Sequence, residues 1–555
     1  MLVAFEMAHL YALSVTGQGF VLGSPFKSIP HVFGWFKTHP SYFIRWCLLL
    51  AVGIGISFMA FAMVFYRLRS NSPVEDMHGS ARFANESEVE KLNLLDGKGV
   101  FVGGYDGKYL RHDGAEHIQV TAPTRAGKGV SVVVPTLLTW PDSVLVTDIK
   151  GELWELTSGW REQYGNNRCY KLDFGDLESA CFNPLDSIGV GTEREISDIQ
   201  NISTMLVDPD GKGLDGKDGH WRKAAHALIS GLICYAINTI EERSATLTDV
   251  AMLMTPGDRD FDDVIAELVA YSDTGVSEQI RDYINSAGRQ QAARAGEEGA
   301  SVLSTAANYM LLYRDPIVAR AISRSSFNVF DLVNADRPIS LYISVNPSDK
   351  TRLMPVIRMT LTVILRSLTR ELEFKNGRSV SAYARRLLLL LDEFPALGKL
   401  DVITDTIAFM ASYGLKTMMI IQDYSQLWDI YGRNESLTAN CHVRTVFAPN
   451  THATAQVISS MTGQTTIVKR VKEGVTKIKM LAPLDDKYNE VSRPLMTSEE
   501  VMRLKSVETN GSTAISGGEL LIFVAGNHVI KGTQPLYFLD KHLDARAKCG
   551  RAQNS

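Results

Sequence analysis

The segment Thr121–Ser131, with the sequence TAPTRAGKGVS, constrains the fold of this chain more than any other stretch. A short β-branched run, Ile118–Val120, precedes it, and an apolar run begins at Val130. A strand, a turn of small residues ending in Gly-Lys and a helix start form a phosphate-binding loop, because the turn aims backbone N–H groups into one concavity and the helix N-terminus adds positive charge. Lys128 is predicted to reach the β- and γ-phosphates of a nucleotide.

The loop departs from the G-x-x-x-x-G-K-[ST] pattern at two positions. Ala122 stands at the first glycine, and Gly129 stands where a Ser or Thr hydroxyl would bind Mg²⁺. The alternative interpretation of this stretch is a glycine-rich turn with a surface lysine. The predicted nucleotide-binding residues of the loop are Thr124, Arg125, Ala126, Gly127, Lys128, Gly129 and Val130.

A second motif, far along the chain, favours the nucleotide interpretation. The run Leu387–Leu391 indicates a strand that is buried on both faces, as in a parallel sheet covered by helices. Asp392 and Glu393 follow it, at the strand end where open α/β sheets bind ligands. Asp392 is predicted to hold Mg²⁺ through its water shell, and Glu393 to polarise the attacking water. The alternative is a leucine-rich core strand followed by a solvated acidic turn.

Two further polar residues end predicted strands on the same side of such a sheet. Asp148 closes the strand Ser143–Asp148, and Gln422 closes the strand Thr417–Gln422. In motor ATPases a polar residue at the position of Gln422 senses the γ-phosphate. The alternatives are a helix-start cap for Asp148 and an ordinary strand-end glutamine for Gln422.

The net charge and the spacing of the cysteines argue against several other classes of protein. The 555 residues carry a net charge of -5, so any contact with nucleic acid must be local. The six cysteines are scattered without a C-x-x-C pair, which argues against a zinc site or a disulfide framework and fits a reducing cytoplasm.

The N-terminal region, residues 1–70, is predicted to contact a membrane. Trp46–Tyr66 is an uncharged run that is long enough to span a bilayer as a helix and is flanked by arginines; the alternative is a buried core helix. Residues 1–23 are a weaker first span, because Glu6 would lie in the apolar phase. Since ATP is cytoplasmic, the nucleotide domain is predicted to face the cytoplasm.

The long separation between Lys128 and Asp392 indicates an insertion, because a bare RecA-like core needs fewer residues and a long structureless loop is unfavourable. The predicted fold class is α/β, a RecA-like P-loop NTPase core with an inserted all-α domain and an N-terminal transmembrane helical region. The predicted bounds are 71–240 and 313–545 for the nucleotide-binding domain, 241–312 for the insertion and 546–555 for a polar tail. The tail-like polar composition begins at Lys541.

Together these motifs resemble the coupling proteins of type IV secretion and conjugation systems, in particular the TraG-like group. Besides the phosphate loop, the resemblance lies in Thr147–Leu153, Leu391–Leu400, Tyr413–Gln422 and Lys531–Leu536, and it runs from about residue 78 to 540. The loop form Thr-Arg-(small)-Gly-Lys-Gly is a family form, so Gly129 is expected there.

The resemblance implies a homo-hexameric ATPase in the bacterial inner membrane, with its ATPase domain in the cytoplasm and with ATP and Mg²⁺ as cofactors. It implies that the protein passes a relaxase–DNA complex, with single-stranded DNA, or effector proteins to the components of a type IV secretion channel. It also implies that the all-α insertion recognises the substrate. In some relatives an arginine follows the Asp-Glu motif by one helix, and here the corresponding run Phe409–Tyr413 holds none.

Two other functions remain open from the sequence. One is a chromosome-segregation-type DNA translocase, although such proteins usually carry more membrane helices and a basic DNA-reading tail. The other is a membrane receptor or scaffold that binds nucleotide with little hydrolysis, which Gly129 favours and the Asp392-Glu393 pair disfavours.

Overall fold

The computed structural model describes residues 9–15, 29–70, 79–211, 213–215, 219–257, 259–294, 296–370, 372–375, 378–471, 487–510 and 513–554. The chain divides into two units. The first consists of Met1–Ser80 with Thr465–Ser492, and the second consists of Ala81–Gln464 with Arg493–Ser555.

The strands of the described residues are β1 (Val100–Tyr105), β2 (Lys108–His112), β3 (His117–Thr121), β4 (Ser143–Asp148), β5 (Arg168–Leu172), β6 (Ile339–Ser344), β7 (Glu373–Lys375), β8 (Arg378–Val380), β9 (Leu387–Leu391), β10 (Leu415–Ile421), β11 (Cys441–Val446), β12 (Gln464–Val471), β13 (Lys487–Pro494), β14 (Glu508–Asn510), β15 (Thr513–Ser516), β16 (Glu519–Val524) and β17 (Ile530–Thr533).

The α-helices with defined bounds are α1 (Ile29–Thr38), α2 (Pro40–Ser70), α3 (Glu86–Lys91), α4 (Val134–Leu137), α5 (Glu152–Gln163), α6 (Glu195–Val207), α7 (Gly219–Thr239), α8 (Leu247–Met254), α9 (Phe261–Ala270), α10 (Glu278–Ala292), α11 (Gly296–Met310), α12 (Pro316–Ala321), α13 (Asp331–Asn334), α14 (Lys350–Leu368), α15 (Asp401–Met410), α16 (Tyr424–Tyr431), α17 (Leu437–Asn440), α18 (His452–Met461), α19 (Ser498–Met502) and α20 (Lys541–Ala547).

One large mixed sheet organises the second unit. Its 11 strands have the order β2-β1-β17-β16-β11-β3-β10-β9-β4-β6-β5. The strands from β11 to β5 in this order are parallel, whereas β16, β17, β1 and β2 continue the sheet with antiparallel pairs. Because the strands that precede Lys128, Asp148, Asp392 and Gln422 are parallel neighbours, their carboxyl ends meet at one edge of the sheet.

The leucine run at β9 shows why this part of the sheet is parallel and covered on both faces. All five leucines are buried. Leu387, Leu389 and Leu391 belong to one core cluster, whereas Leu388 and Leu390 belong to another on the opposite face. Successive strand side chains point to opposite faces, so an uninterrupted apolar run requires a core on each side. The predicted doubly buried strand is therefore confirmed.

The segment between β5 and β6 is helical in its regular structure. It contains the α-helices from α6 to α13, flanked or joined by short 3-10 turns, and so extends on both sides of the predicted insertion at 241–312. Helix α7 packs against α6, α10 and α11. Apolar residues of these helices share one core cluster with the sheet, including Leu228, Val302 and Leu341. A division into separate domains at 240/241 stays a prediction.

The prediction of a polar C-terminal tail is wrong. Residues Lys541–Ala547 form helix α20, and Leu543, Ala547 and Ala552 are buried in the second core cluster. These apolar side chains lie four and five residues apart, which suffices to dock the segment against α5 although its composition is mainly polar.

In the first unit, α2 contains one candidate membrane span by length and composition, Pro40–Phe65. It includes nearly all of the predicted span Trp46–Tyr66. Of the weaker predicted span at 1–23, residues 9–15 are helical and the rest lies outside the described residues.

Candidate functional site: a nucleotide-binding loop at the carboxyl edge of the sheet

The phosphate loop leaves the sheet directly after β3. The Ala122 N–H donates to the Ile421 carbonyl at 2.9 Å, which ties the loop to the end of β10. Arg125 and Gly127 have positive φ angles of 64° and 94°. These left-handed residues turn the chain back sharply, and glycine adopts such a conformation without steric cost. The sequence TRAGKG therefore forms the tight turn that the motif predicts.

Lys128 and Asp392 meet across the site. The Lys128 Nζ lies 2.7 Å from Asp392 Oδ1, and the two side chains are 15% and 25% exposed. They come from the ends of β3 and β9, between which β10 lies in the sheet. The structure thus joins the two motifs that the sequence linked only by inference.

Gln422 connects the loop to Glu393. Its Oε1 accepts a hydrogen bond from Thr124 Oγ1 at 3.0 Å, and its Nε2 donates to Glu393 Oε1 at 3.1 Å. Glu393 itself has φ 52° and ψ 48°, a left-handed conformation that is unfavourable for a residue other than glycine. The strain fixes the direction of the chain just where the predicted catalytic carboxylate stands.

Asp148 lies at the same edge but is turned inward. It is 3% exposed, and its Oδ2 accepts a hydrogen bond from the Trp154 N–H at 2.8 Å. Burial, opposed by this hydrogen bond and reinforced by the Asp392 charge, raises the pKa of Asp148 to about 6. Asp148 therefore accepts a hydrogen bond at the start of α5, as the alternative interpretation of this residue predicts. Its charge also acts on Asp392.

The chain beyond Lys128 starts as a π-helical turn, Gly129–Val133, and continues as α4. The predicted helix over Val130 onward is thus present, with a wider first turn. A Cβ atom added at Gly129 would have no neighbour within 4 Å. Packing therefore does not impose glycine at this position, and a hydroxyl side chain would fit.

Three further residues belong to this site and were not singled out from the sequence. Thr147 Oγ1 donates to the Asp392 carbonyl at 3.1 Å. A Cβ atom at Gly127 would lie 2.9 Å from Gln534 Oε1, so Gln534 supports the underside of the loop. Ser344, paired in register with Asp148, has a buried hydroxyl without a hydrogen-bond partner. Thr147 had a local signal in its position beside a strand-end acid, and Gln534 lies in the stretch Lys531–Leu536 that carries the family resemblance. Ser344 had neither signal.

The side chains at this edge fit ATP and Mg²⁺. Lys128 offers a cation to phosphates, and Asp392 offers the carboxylate oxygen that Mg²⁺ prefers. Among the described residues no group of three or more His, Cys, Asp or Glu side chains is placed to hold a metal ion.

Comparison with known proteins assigns the chain to a family. The family model described as "Type IV secretory system Conjugative DNA transfer" matches residues 77–554. A conjugal transfer protein TraG of Escherichia coli is 40% identical over 97% of this chain and 89% of its own length. Protein VirD4 of Agrobacterium fabrum (strain C58) is 30% identical over 85% of this chain and 67% of its own length.

Solved structures agree at the level of the fold. The conjugative coupling protein TrwB lacking its N-terminal segment, in complex with sulphate, aligns with a TM-score of 0.59 and 16% identity over 84% of this chain and 96% of that chain. TrwB in complex with the ATP analogue ADPNP aligns with a TM-score of 0.58 and 16% identity, over the same shares of the two chains. From the family match, the TraG relative and this fold, the chain belongs to the family of type IV secretory system conjugative DNA transfer proteins, the coupling proteins.

Proposed function

We propose that this protein is an ATP-hydrolysing motor of the bacterial inner membrane, with its nucleotide site in the cytoplasm, that couples a DNA substrate to a type IV secretion channel during conjugation. One observation carries the proposal: the loop lysine, the strand-end Asp392 and the Glu393–Gln422–Thr124 hydrogen bonds converge at the carboxyl edge of one parallel sheet. The names of the TraG and VirD4 relatives and the nucleotide complexes of TrwB support it.

Each residue has a distinct task in this mechanism. Lys128 exchanges Asp392 for the β- and γ-phosphates, since phosphate oxygens offer it the same charge-assisted hydrogen bonds. Asp392, once released, accepts hydrogen bonds from the water shell of Mg²⁺. When bound, Mg²⁺ neutralises charge on the transferring phosphoryl group.

Glu393 orients and polarises the attacking water, because its carboxylate stands beside Asp392 at the edge that the loop faces. Gln422 bonds to both Glu393 and Thr124, so a change at the phosphate loop is transmitted to the carboxylate through one amide. This link is the proposed route from phosphate loss to movement of β10 and the segment that follows it.

Steady-state phosphate release by the full chain in detergent micelles tests the motor, with and without single-stranded DNA. A motor hydrolyses ATP, and DNA increases the rate. A nucleotide-binding scaffold binds ATP without turnover in either condition, which would contradict the proposal. A chromosome-segregation-type translocase would respond to double-stranded DNA instead, so a duplex of the same sequence is the matched control.

We further propose that the protein works as a homo-hexamer with a neighbour completing each site, since Phe409–Tyr413 supplies no arginine after the Asp-Glu strand. Removing residues 1–70 takes away the candidate span Pro40–Phe65 and the two-dimensional confinement it would give, so assembly and turnover should fall together. Light-scattering mass is measured beside phosphate release over a range of concentrations. A monomer that hydrolyses ATP at the full-chain rate would show that each site is complete within one chain.

We also propose that the helical segment between β5 and β6 receives the relaxase–DNA complex or effector proteins. Deletion of 241–312 alone would remove α10 and α11, against which α7 packs, and so would expose the apolar face of α7. The test therefore replaces exposed charges on this segment, such as Glu278 and Arg289, and measures binding of a purified relaxase. Unchanged affinity across all such variants, with nucleotide binding intact, would place the receptor surface elsewhere.

A further inference from the structure

A second cavity lies at the opposite edge of the sheet from the phosphate loop. Its volume is about 500 Å³, and its lining includes Arg111, Arg386 and Arg546. Arg386 directly precedes β9, whereas Asp392 directly follows it. A five-residue strand is about 16 Å long, so the cavity and the phosphate loop are separate sites.

The Arg111 guanidinium is held firmly, but by neutral groups. Its Nε and Nη2 donate to the Gly99 carbonyl at 3.1 and 3.0 Å, Nη2 also donates to Thr139 Oγ1 at 3.0 Å, and Nη1 donates to the Gly97 carbonyl. Its Cζ lies 4.9 Å from the centre of the Phe101 ring. Carbonyl and hydroxyl oxygens satisfy N–H groups without cancelling the charge, so Arg111 presents a fixed cation to the cavity.

Arg546 adds a second cation of the same kind. Its Nη1 donates to the Leu138 carbonyl at 2.9 Å, and its Cζ lies 4.5 Å from the centre of the Trp160 ring. No carboxylate of the described residues lies within ion-pair distance of it. Arg111 and Arg546 line the same cavity. Burial and the charge of Arg546, opposed by Asp113, lower the pKa of Arg111.

The carboxylates that line the cavity already have partners. Asp113 accepts a hydrogen bond from Arg386 at 2.8 Å. Asp540 accepts one from the Tyr109 hydroxyl at 2.6 Å and others from the first N–H groups of α20. With Lys98 also in the lining, the cavity keeps an excess of positive charge.

We propose that this cavity binds a nucleoside phosphate, as a second nucleotide site that is independent of the phosphate loop. Planar guanidinium groups match phosphate oxygens, and a pair of them without carboxylate partners favours a dianion. The volume lies within the range of small-molecule sites and exceeds what a bare phosphate needs. Tyr109, 36% exposed in the lining, offers a ring face for a base.

Equilibrium dialysis of the full chain in detergent with radiolabelled ADP tests the site by stoichiometry. Wild type should bind two ADP per chain, Lys128→Ala and Arg546→Gln one each, and the double variant none. The matched control is Arg551→Gln, which removes an exposed arginine outside the cavity and should keep both sites. The ADP retained by Arg546→Gln at the phosphate loop shows that this variant is folded.

One ADP per wild-type chain, or two in Arg546→Gln, would overturn the proposal. Competition in the Lys128→Ala background identifies the ligand class: unlabelled ADP should displace the label at lower concentration than pyrophosphate does. Equal displacement would overturn the nucleoside part of the proposal. Since binding is counted without hydrolysis, this test can fail or succeed whatever the outcome for the proposed motor.

Discussion

At the carboxyl edge of the central sheet the loop lysine meets an opposite charge. At the amino edge Lys416, Arg111 and Arg546 are held by neutral acceptors, beside an ion pair between Arg386 and Asp113. Lys128 pairs with Asp392 at the first edge. At the second, the Lys416 Nζ is 2.8 Å from His112 Nδ1 and 2.5 Å from the Gly114 carbonyl, and Lys416 is 2% exposed. The first arrangement can exchange partners with phosphate and Mg²⁺, and the second leaves positive charge uncompensated.

The pKa of Lys416 shows this difference between the two edges of the sheet. Burial lowers the pKa of Lys416 to about 7, although Glu116 and Asp113 raise it, with Arg386 acting in the same direction as burial. Burial and the Lys416 charge also lower the pKa of His112 to about 4, so the ring is neutral at pH 7 and accepts at Nδ1. A positive charge is therefore unfavourable at this edge unless an anion binds beside it.

The largest effect is expected from removing the ion pair between Lys128 and Asp392 at the carboxyl edge. Lys128→Ala removes the cation that faces the phosphates, so ATP hydrolysis should fall at least about 100-fold, as when a preorganised donor is lost. Phosphate release measures it. Lys548→Ala, at a lysine side chain that is 72% exposed directly after α20, is the control and should retain the wild-type rate. Wild-type turnover in Lys128→Ala would contradict the assignment of the loop.

Glu393→Gln tests the same edge while preserving shape. The amide still bonds to Gln422 but polarises water poorly, so kcat should fall on the order of 10²-fold and ATP should remain bound. Filter binding and single-turnover hydrolysis measure the two quantities. The control Glu241→Gln changes an exposed glutamate between α7 and α8 and should leave both unchanged. Unchanged kcat in Glu393→Gln would move the role to another carboxylate, first to Asp148.

Lys416→Met tests the amino edge through the pH dependence of the stability of the fold. The unfolded chain binds a proton at Lys416 up to a pKa of 10.5, whereas the folded chain releases it near pH 7. The unfolded state therefore binds more protons in this window, and wild-type stability should rise with pH between these values. Thermal midpoints of Lys416→Met should lack that rise, and those of Lys548→Met should keep it. Parallel pH profiles for wild type and Lys416→Met would show that Lys416 titrates normally in the fold.

The smallest effect is expected from adding a hydroxyl ligand for Mg²⁺ at the carboxyl edge. Gly129→Ser places a hydroxyl where a Cβ atom has no close neighbour, and one added ligand should lower the Mg²⁺ concentration for half-maximal hydrolysis roughly 2–10-fold. Titration of Mg²⁺ at fixed ATP measures it. Gly129→Ala is the control, because it changes helix propensity without adding an oxygen. An equal shift in both variants would exclude a ligand role for the hydroxyl.

The sequence predicted the parts of the carboxyl edge because each part is a local pattern. Five leucines in a row require two apolar surroundings, and a turn of small residues before Gly-Lys requires left-handed backbone. Parallel strands then bring their carboxyl ends together, which is why Lys128, Asp392, Glu393 and Gln422 could be assigned to one place.

Three features were decided only by the tertiary structure. Gln534 lies beneath Gly127, Arg111 and Arg546 converge at the amino edge, and the C-terminal segment is a docked helix rather than a polar tail. Each joins residues from distant parts of the chain. Gln534 lies in the stretch Lys531–Leu536 that carries the family resemblance, but that stretch does not indicate a contact with Gly127, and the other two features have no periodic or motif signal. Their partners are set by how loops and helices pack on the sheet, and that packing is a property of the whole fold.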